Sequence, residues 1–353
     1  FYNVGDRMQL VRMGKLEKQN ELWERPLYDR PEIKVKDAVI ADERAIFING
    51  DLYGVSTAAT IYGLFFNEKM FEEKGWNKQP KDWNEFVQLC QKIKDTGIYP
   101  MVMAGKHPYY FTYGWGAIPH EVGGEEYYDA LFNYKPNVYI SKPMVTMLER
   151  MEEFAKKGFF HPGTVSFDHI QSQMEFIQGT AAMITNATWI ANEMKDVTPK
   201  GFKWGFMAFP GNNPGQDKVV LIKDSLTGFI WKNKPELVKK WVKEFNLWLL
   251  NLDVQLKFAQ SGGMPSRLDF RKQFKKLEDI SPSVISALEY LEKEKVRLVN
   301  DNVRARIISN PEMAKVTTLL RNGYVSILNG TKTARQVAEE VNEQYMKGLA
   351  AAR

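Results

Sequence analysis

The stretch 178–193, QGTAAMITNATWIANE, decides how the chain is interpreted. Gly179 ends a preceding helix, the apolar run Ala181–Ile184 predicts a buried strand, and a polar segment then leads to Trp189. An open α/β sheet binds its ligands beyond the carboxyl ends of its strands, so Trp189 stands where a ligand contact is expected. Tryptophan is also largely buried in most proteins, so the stretch alone leaves a core role open.

Composition narrows the class of protein. With 353 residues, 44% of them hydrophobic and 26% charged, the chain is long enough for two domains. Its net charge of +5 is dispersed, whereas a nucleic-acid-binding protein needs a concentrated basic patch. The single cysteine, Cys90, excludes disulfides within the chain and lies in the apolar stripe of a helix. The four histidines lack metal-binding spacing, so we expect no metal and no cofactor.

Helical patterns alternate with short apolar runs in the first part of the chain. The runs predict strands at 45–49, 52–56, 61–66, 99–104 and 181–184. A capped helix is predicted over 82–97, and its position between two strands predicts parallel pairing of those strands. Helices are also predicted over 11–22 and 283–298. These patterns predict an α/β chain that alternates between two lobes and ends in helices.

Motifs of common enzyme classes are missing from the sequence. It contains no nucleotide-binding glycine motif, no GxSxG elbow and no cysteine–histidine pairing. Its acidic pairs, such as Glu152-Glu153, are adjacent in sequence and therefore do not face each other on a helix. A glycosidase needs two carboxyls that converge across a cleft, and no such pair can be proposed from the sequence.

Large aromatic residues fall in predicted loops after strands. They are Tyr62, Tyr109, Tyr110, Tyr113, Trp115 and Trp189. An aromatic side chain in an exposed loop needs either a core or a ligand to pack against. Sugar rings lie flat on aromatic faces, and their hydroxyls bond to polar neighbours. Such neighbours are available in Asn186, Thr188, Asp224, Ser225 and Arg267. Each aromatic alone favours packing, whereas the set favours a sugar-binding cleft.

Several segments resemble motifs of the extracellular solute-binding proteins of carbohydrate ABC importers. They are LYGV…IYGLFFNEKMFEEKGW (Leu52–Trp76), PKDWNEFVQLCQKIKDTGI (Pro80–Ile98), FIQGTAAMITNATW (Phe176–Trp189) and GGMPSR (Gly262–Arg267). Their order and spacing match this family over nearly the whole chain. Two further segments are most similar to the N-acetylglucosamine or chitobiose-binding branch, namely TIYGLFF (Thr60–Phe66) and AGKHPYY (Ala104–Tyr110).

The resemblance implies a type II periplasmic-binding-protein fold, an α/β fold with two lobes, hinge strands and C-terminal helices. We assign 1–104 with 226–300 to lobe one and 105–223 with 301–353 to lobe two. The hinges are then expected near 104–106, 222–226 and 298–303. The family's opening strand–helix–strand unit has no counterpart before Phe1. Lobe one is therefore expected to lack central strands.

The resemblance also implies function. An oligosaccharide or amino sugar binds between the lobes and passes to the permease subunits of an ABC transporter, with no catalysis and no nucleic-acid partner. The protein is expected to act as a monomer on the outside of a bacterial cell, in the periplasm or as a lipoprotein whose lipid anchor lies before Phe1.

Candidate ligand-binding residues follow by position. Trp189 matches the tryptophan that stacks on the sugar. The other candidates are Thr60, Tyr62, Tyr109, Tyr110, Trp115, Asn186, Asp224, Ser225 and Arg267. No catalytic or metal-binding residue is assigned. The sequence departs from the family at Ser56, where a proline is usual, and at Ala58-Ala59, which lack the usual polar groups.

Two alternatives stay open at this point. One is a glycoside-processing enzyme that uses a cleft carboxylate such as Asp224 as acid or base. The other is a binding module for a peptide or a polyamine, which the aromatic loops disfavour.

Overall fold

The computed structural model describes residues 7–39, 45–48, 50–210, 217–224, 227–276, 278–300, 308 and 310–352. Within these residues the strands form a two-stranded sheet and a seven-stranded sheet. The strands are β1 (Ala45–Ile48), β2 (Asp51–Val55), β3 (Ala58–Asn67), β4 (Tyr99–Val102), β5 (Ala181–Ala187), β6 (Trp204–Met207), β7 (Lys218–Asp224), β8 (Met264–Pro265) and β9 (Val296–Asn300).

Helices pack against both sheets. They are α1 (Arg7–Arg12), α2 (Asn20–Glu24), α3 (Val35–Ala38), α4 (Glu68–Lys74), α5 (Trp83–Lys94), α6 (Ala117–Phe132), α7 (Lys142–Lys156), α8 (His169–Gln178), α9 (Ile190–Glu193), α10 (Glu236–Trp248), α11 (Leu252–Gln260), α12 (Leu268–Gln273), α13 (Pro282–Lys293), α14 (Pro311–Leu328) and α15 (Ala334–Ala350). Short 3₁₀ segments are Pro108–Phe111, Val138–Ile140, Pro162–Val165 and Phe274–Lys276. No helix in the described part of the chain is long and apolar enough to cross a membrane.

Local sequence explains where the helices next to the large sheet begin and end. The Asp82 side chain accepts a hydrogen bond from the backbone N–H of Glu85, which caps the start of α5. The predicted helix over 82–97 is thereby confirmed. Asp168 caps α8 in the same way, and Gly179 ends it with a φ of 79°, in the left-handed region that glycine adopts without strain.

Strand β3 is the centre of the large sheet. It pairs antiparallel with β5, β6, β7 and β8, and all but its last residue are buried. When both faces of a strand are covered, its side chains are nearly all apolar. This explains the apolar sequence of the segment 61–66. The outer strands β4 and β9 pair parallel with β5 and β7, respectively.

The sheet is therefore mixed, and the parallel pairing expected for the strands at 61–66 and 99–104 is wrong. Strand β5, from much later in the chain, lies between β3 and β4. It runs antiparallel to β3 and parallel to β4. Strands that are consecutive in sequence usually neighbour each other, but here an inserted strand separates them.

The buried apolar side chains fall into separate clusters. A large cluster lies on the seven-stranded sheet and contains Cys90, which is fully buried on α5. Smaller clusters, which include Leu22, Leu52 and Leu247, join residues 16–55 to residues 229–250. We call the part built on the smaller clusters the small lobe and the part built on the large sheet the large lobe.

The predicted lobe boundary at 104–106 is wrong. Strands β3 and β5 pair across it, and Gly105 packs directly against the backbone of Thr164. The change from the small to the large lobe occurs instead between Val55 and Ala58, where Ser56 forms an antiparallel bridge with Thr227. That bridge also marks the return of the chain after β7, near the second predicted hinge.

The assignment of 226–300 to lobe one is wrong in its later part, because α13 and β9 pack on the large sheet. Residues 301–303 of the third predicted hinge lie outside the described residues.

Two predicted helices are also corrected. The helix expected over 11–22 is interrupted, because α1 ends at Arg12 and Leu16 forms a bridge with Trp231 before α2 begins. The helix expected over 283–298 ends at Lys293, and the chain then enters β9 beside β7. In both places a pairing with a distant segment overrides the local helical pattern.

Candidate ligand-binding site

Trp189 lies at the carboxyl end of β5, immediately before α9, and is half-buried. Two distant segments hold its backbone. The Ser283 hydroxyl donates a hydrogen bond to the Thr188 carbonyl at 2.5 Å. Gly262 packs so closely that a Cβ there would lie 2.6 Å from the Trp189 Cα. The position of Trp189 is therefore fixed by the fold and does not depend on a flexible loop.

Three aromatic rings meet at this strand end. The Tyr62 ring centroid lies 5.7 Å from that of Trp189 at an interplanar angle of 85°, and the Tyr113 centroid lies 6.0 Å away at 77°. Tyr62 and Tyr113 are themselves 4.3 Å apart. Edge-to-face contacts of this kind are a favoured arrangement of aromatic pairs and help to hold the Trp189 ring in place. Tyr62 lies inside β3 and is almost buried, so the expectation that it belongs to a loop is wrong.

The row of rings continues through the 3₁₀ segment Pro108–Phe111. Tyr110 lies 4.9 Å from Tyr113, and Tyr109 lies 5.8 Å from it. Tyr110 is buried, whereas Tyr109 is 36% exposed. Burial, together with the neighbouring Tyr109 and Glu193, raises the pKa of Tyr110, so its hydroxyl stays neutral and able to donate. We call the set Trp189, Tyr62, Tyr113, Tyr110 and Tyr109 the aromatic platform.

A backbone kink separates the platform from the core at Gly114. Its φ of 100° is in the left-handed region, and a Cβ there would meet the Phe209 ring at 2.7 Å. As a result of the kink, the Tyr113 side chain packs in the platform and the Trp115 side chain packs in the large core. Only glycine fits this conformation and this approach without strain.

Trp115 is accordingly a core residue and not a cleft residue. It is fully buried, with ring centroids of Phe209 at 4.8 Å, Phe154 at 5.3 Å and Phe160 at 5.9 Å. The prediction that it contacts ligand is wrong, because protein covers the whole side chain. Its buried Nε1 atom has no hydrogen-bond partner among the described residues, but no part of the ring is open to a ligand.

Arg267 is likewise fully buried. Its guanidinium pairs with Asp29 at 2.7 Å and with Asp269, and it donates to the Leu250 carbonyl at 3.1 Å. These partners occupy the donors that a ligand would use, so the prediction that Arg267 binds ligand is wrong. The side chain instead links the loop before α3 to the start of α12.

Unpaired polar groups lie in the segment that leads to Trp189. Asn186 pairs with Gly63 in the sheet, so its side chain lies on the face opposite Tyr62. The Nδ2 atom of Asn186, the Oγ1 atom of Thr188 and the Nε1 atom of Trp189 are buried and have no hydrogen-bond partner among the described residues. Buried groups of this kind usually bond to ordered water or to a ligand. Thr60 is also buried, opposite Lys223 in the pairing of β3 with β7.

The remaining candidates lie near the end of β7. Asp224 is its last residue and pairs through the backbone with Ala59. Ser225 lies outside the described residues.

Three ionisable groups with large pKa changes lie in the core, away from the platform. Burial raises the pKa of Glu121 to about 7 and lowers that of His120 to about 3, and burial also lowers the pKa of Arg150 to about 10. Neither carboxylate oxygen of Glu121 has a hydrogen-bond partner in the described part of the structure. Glu121 is only 6% exposed, so it is poorly placed to act on a bound sugar. In the ranges that the structure describes, no cluster of three or more metal-ligating side chains is present.

Two surface cavities lie away from the platform. One, of about 460 Å³, is lined by residues that include Trp76, Trp204 and Tyr290, and the other, of about 540 Å³, adjoins it near Trp204. Neither is lined by a platform residue. Because Thr188 and Trp189 both carry unpaired polar groups, the platform is the better candidate site.

A sequence model of the family described as bacterial extracellular solute-binding protein matches residues 6–255, which is more than half of the chain. The chain belongs to the bacterial extracellular solute-binding proteins. The family resemblance inferred from the sequence segments is thereby confirmed. The platform lies at the carboxyl end of β5 in the large lobe of this solute-binding protein, next to the segments that lead to the small lobe.

Curated relatives of this solute-binding protein are similar over part of their length. The diacetylchitobiose binding protein NgcE of Streptomyces coelicolor is 28% identical over 200 residues, 54% of this chain and 40% of that protein. A binding protein of Brucella abortus (strain 2308) is 27% identical over 226 residues, 61% of this chain and 51% of that protein. The chain thus spans about half the length of these relatives, or less.

Solved structures confirm the fold of this solute-binding protein. A chitin oligosaccharide binding protein is similar with a TM-score of 0.74 at 16% identity, covering 98% of this chain and 82% of that chain. At this identity the likeness concerns the fold alone. The predicted two-lobe α/β architecture of the periplasmic-binding-protein type is confirmed.

The sequence predicted Tyr113 as a loop aromatic but did not assign it to the binding site. It assigned no role to His107 or His169. The histidine rings lie 5.8 Å apart beside the tyrosines, although 62 positions separate them in the chain. His107 is part of AGKHPYY and so adjoins two predicted contacts, which is the one signal that could have indicated it.

Proposed function

We propose that this solute-binding protein binds an oligosaccharide or amino sugar on the aromatic platform and delivers it to the permease subunits of an ABC transporter. The observation that carries the proposal is the group of Trp189, Tyr62 and Tyr113 beside unpaired polar groups. Aromatic faces stack on the C–H faces of sugar rings, and groups such as the Thr188 hydroxyl and the Trp189 indole N–H bond to sugar hydroxyls. The names of the relatives, which bind diacetylchitobiose and chitin oligosaccharide, support the same ligand class.

The mechanism we propose requires no chemistry on the sugar. Ligand lies on the large lobe, and the small lobe then rotates about the paired segments at Ser56 and Thr227 to cover it. The ligand shifts the population toward the closed form because only that form contacts it from both lobes. The proposal includes action as a monomer outside the bacterial cell and a lipid anchor, as the family resemblance implies.

Isothermal titration calorimetry tests the proposal. The chito-, cello- and malto-oligosaccharide series are titrated into the protein, with N-acetylglucosamine and glucose as single rings. We expect saturable binding of at least one series, with a change in tryptophan fluorescence because Trp189 is in the site. Absence of binding to every series contradicts the proposal.

The enzyme alternative is separated by a second measurement. After long incubation with the oligosaccharide that binds, reducing ends are quantified. We expect no increase, because Glu121, whose raised pKa would suit a general acid, is buried in the core. An increase in reducing ends supports the glycoside-processing alternative instead.

A further inference from the structure

The aromatic row continues beyond the platform into two histidines. The His169 ring lies 6.4 Å from the Tyr110 ring and almost parallel to it, at 8°. His107 lies 5.8 Å from His169 and 5.9 Å from Tyr109. Both histidines are half-buried, so each presents part of its surface to solvent. The cluster of rings that includes Trp189 therefore extends beyond the tyrosines to both histidines.

Polar groups that suit sugar hydroxyls lie beside this extension. Gln173 follows His169 by one turn of α8, and its Nε2 donates to the Glu193 carboxylate at 2.8 Å. The Oε1 atom of Gln173 is buried and has no partner in the described residues, and the side chain is fully buried. Glu193 is exposed on α9, four residues after Trp189, and its charge acts on Tyr110. An amide and a carboxylate thus flank the row of rings.

We propose that His107, His169 and Glu193, with Gln173 as the residue that positions Glu193, form a distal sugar subsite. The protein then binds oligosaccharides of three or more rings in preference to shorter ones. This inference rests on the proposed function and specifies the ligand within that class.

Distances along the row support the length of the ligand. Neighbouring ring centroids are 6.0 Å apart for Trp189 and Tyr113, 4.9 Å for Tyr113 and Tyr110, and 6.4 Å for Tyr110 and His169. Each step is of the order of one sugar ring, so a single ring or a disaccharide leaves the histidine end empty. Imidazole N–H groups donate and the Glu193 carboxylate accepts, so the subsite fits a neutral, hydroxyl-bearing ring. The carboxylate disfavours a uronic acid or a sugar phosphate by charge repulsion.

A metal is a poorer occupant of the histidine pair. Structural and catalytic metal sites use at least three protein ligands, and the described residues hold no group of three side chains that could bind an ion. The aromatic stacking of His169 on Tyr110 also suits a flat ligand better than an ion.

Calorimetry across chain lengths tests the subsite. The wild-type protein, His169→Ala and the matched control Ile170→Ala are titrated with chito-, cello- and malto-oligosaccharides of one to five rings. Ile170 is the next residue on α8 and is 44% exposed, so its loss controls for changes to that helix. We expect wild-type affinity to rise up to three or four rings. His169→Ala lowers the affinity for three or more rings about tenfold, the loss of one or two hydrogen bonds, and leaves the disaccharide unchanged.

A second variant keeps the inference falsifiable if His169→Ala does not fold, which thermal melting shows directly. Glu193→Gln keeps the shape and removes the charge, and we expect the same selective loss for the longer sugars. Equal wild-type affinity for two and four rings overturns the subsite while leaving the proposed function intact. An equal loss for all lengths in either variant also overturns it. Absence of binding to any sugar overturns the proposed function, and the subsite with it.

Discussion

Trp115 and Trp189 both follow predicted strands, and both were expected to contact ligand, yet the fold gives them opposite environments. Trp115 is fully buried among Phe209, Phe154 and Phe160. Trp189 is half-buried, and the rings that support it, Tyr62 and Tyr113, meet it edge to face. The difference teaches that a position after a strand does not identify a ligand contact. What distinguishes the two is whether protein covers the whole side chain or leaves part of it exposed.

The chain passes from the partly exposed platform to the buried core within two residues. Tyr113 and Trp115 are separated only by Gly114, whose positive φ turns the backbone between them. The aromatic core and the aromatic platform are therefore adjacent surfaces of one structure. Their energetic roles should still separate, since one side chain packs against protein alone and the other, under the proposed function, also packs against ligand.

The largest expected effect is on the core side of the comparison. Trp115→Ala should lower the free energy of unfolding by about 3–5 kcal/mol, because it leaves a large cavity in a rigid core. Urea denaturation followed by circular dichroism measures this. Trp241→Ala on α10 is the control, because that side chain is 64% exposed and its loss should cost little. A loss of similar size in both variants would show that Trp115 is not tightly packed.

A smaller effect is expected on the platform side. Trp189→Ala should weaken sugar binding by about 1–3 kcal/mol, because a stacking face is lost from the site. Its effect on the free energy of unfolding should be smaller than that of Trp115→Ala, since part of the ring is not covered by protein. Calorimetry with the oligosaccharide that binds wild type measures the first effect. Unchanged affinity would place Trp189 with the core residues and remove the contrast.

The smallest effect concerns the polar interior of the core. Burial raises the pKa of Glu121 from its usual 4.5 to about 7. The folded state therefore keeps a proton up to about pH 7 that the unfolded state releases near pH 4.5. This carboxyl contributes to stability at low pH, and the contribution is lost as the pH rises through that window.

Glu121→Gln should accordingly stabilise the protein more at pH 8 than at pH 5, because the amide never becomes charged. Thermal melting at the two pH values measures the difference, with the exposed Glu126→Gln on the same helix as control. His120 has the opposite pH dependence. Its pKa is lowered to about 3 in the folded state, so the unfolded state binds a proton first as the pH falls below 6.5, and the protein loses stability. An equal effect of Glu121→Gln at both pH values would show that Glu121 is not desolvated.

The sequence predicted the parts of the fold that depend on local chemistry. The apolar run 181–184 predicted β5, and Gly179 predicted the end of the helix before it. The capping pattern at Asp82 predicted α5. The family segments gave the class of protein and the position of Trp189. These features depend on residues that are close together in the chain, so a sequence pattern contains them.

Features that depend on distant pairing could not be predicted in this way. The insertion of β5 between β3 and β4, and with it the lobe boundary near Ser56, follows from contacts across more than a hundred residues. The burial of Arg267 depends on Asp29, which is equally remote in sequence. The approach of His169 to His107 has the same origin. In each case the sequence shows the residue type but does not show which distant residues surround it.

Because Cys90 is buried, the reactivity of its thiol reports on local opening of the core around α5. Its thiol is fully covered on α5, and burial raises its pKa, so the reactive thiolate hardly forms in the closed core. A thiol reagent can therefore modify Cys90 only during excursions in which α5 separates from the sheet. Because the chain contains one cysteine, the labelling rate measures the frequency of those excursions without any engineered probe. The same rate, followed with and without sugar, measures how strongly an occupied platform holds the neighbouring core closed.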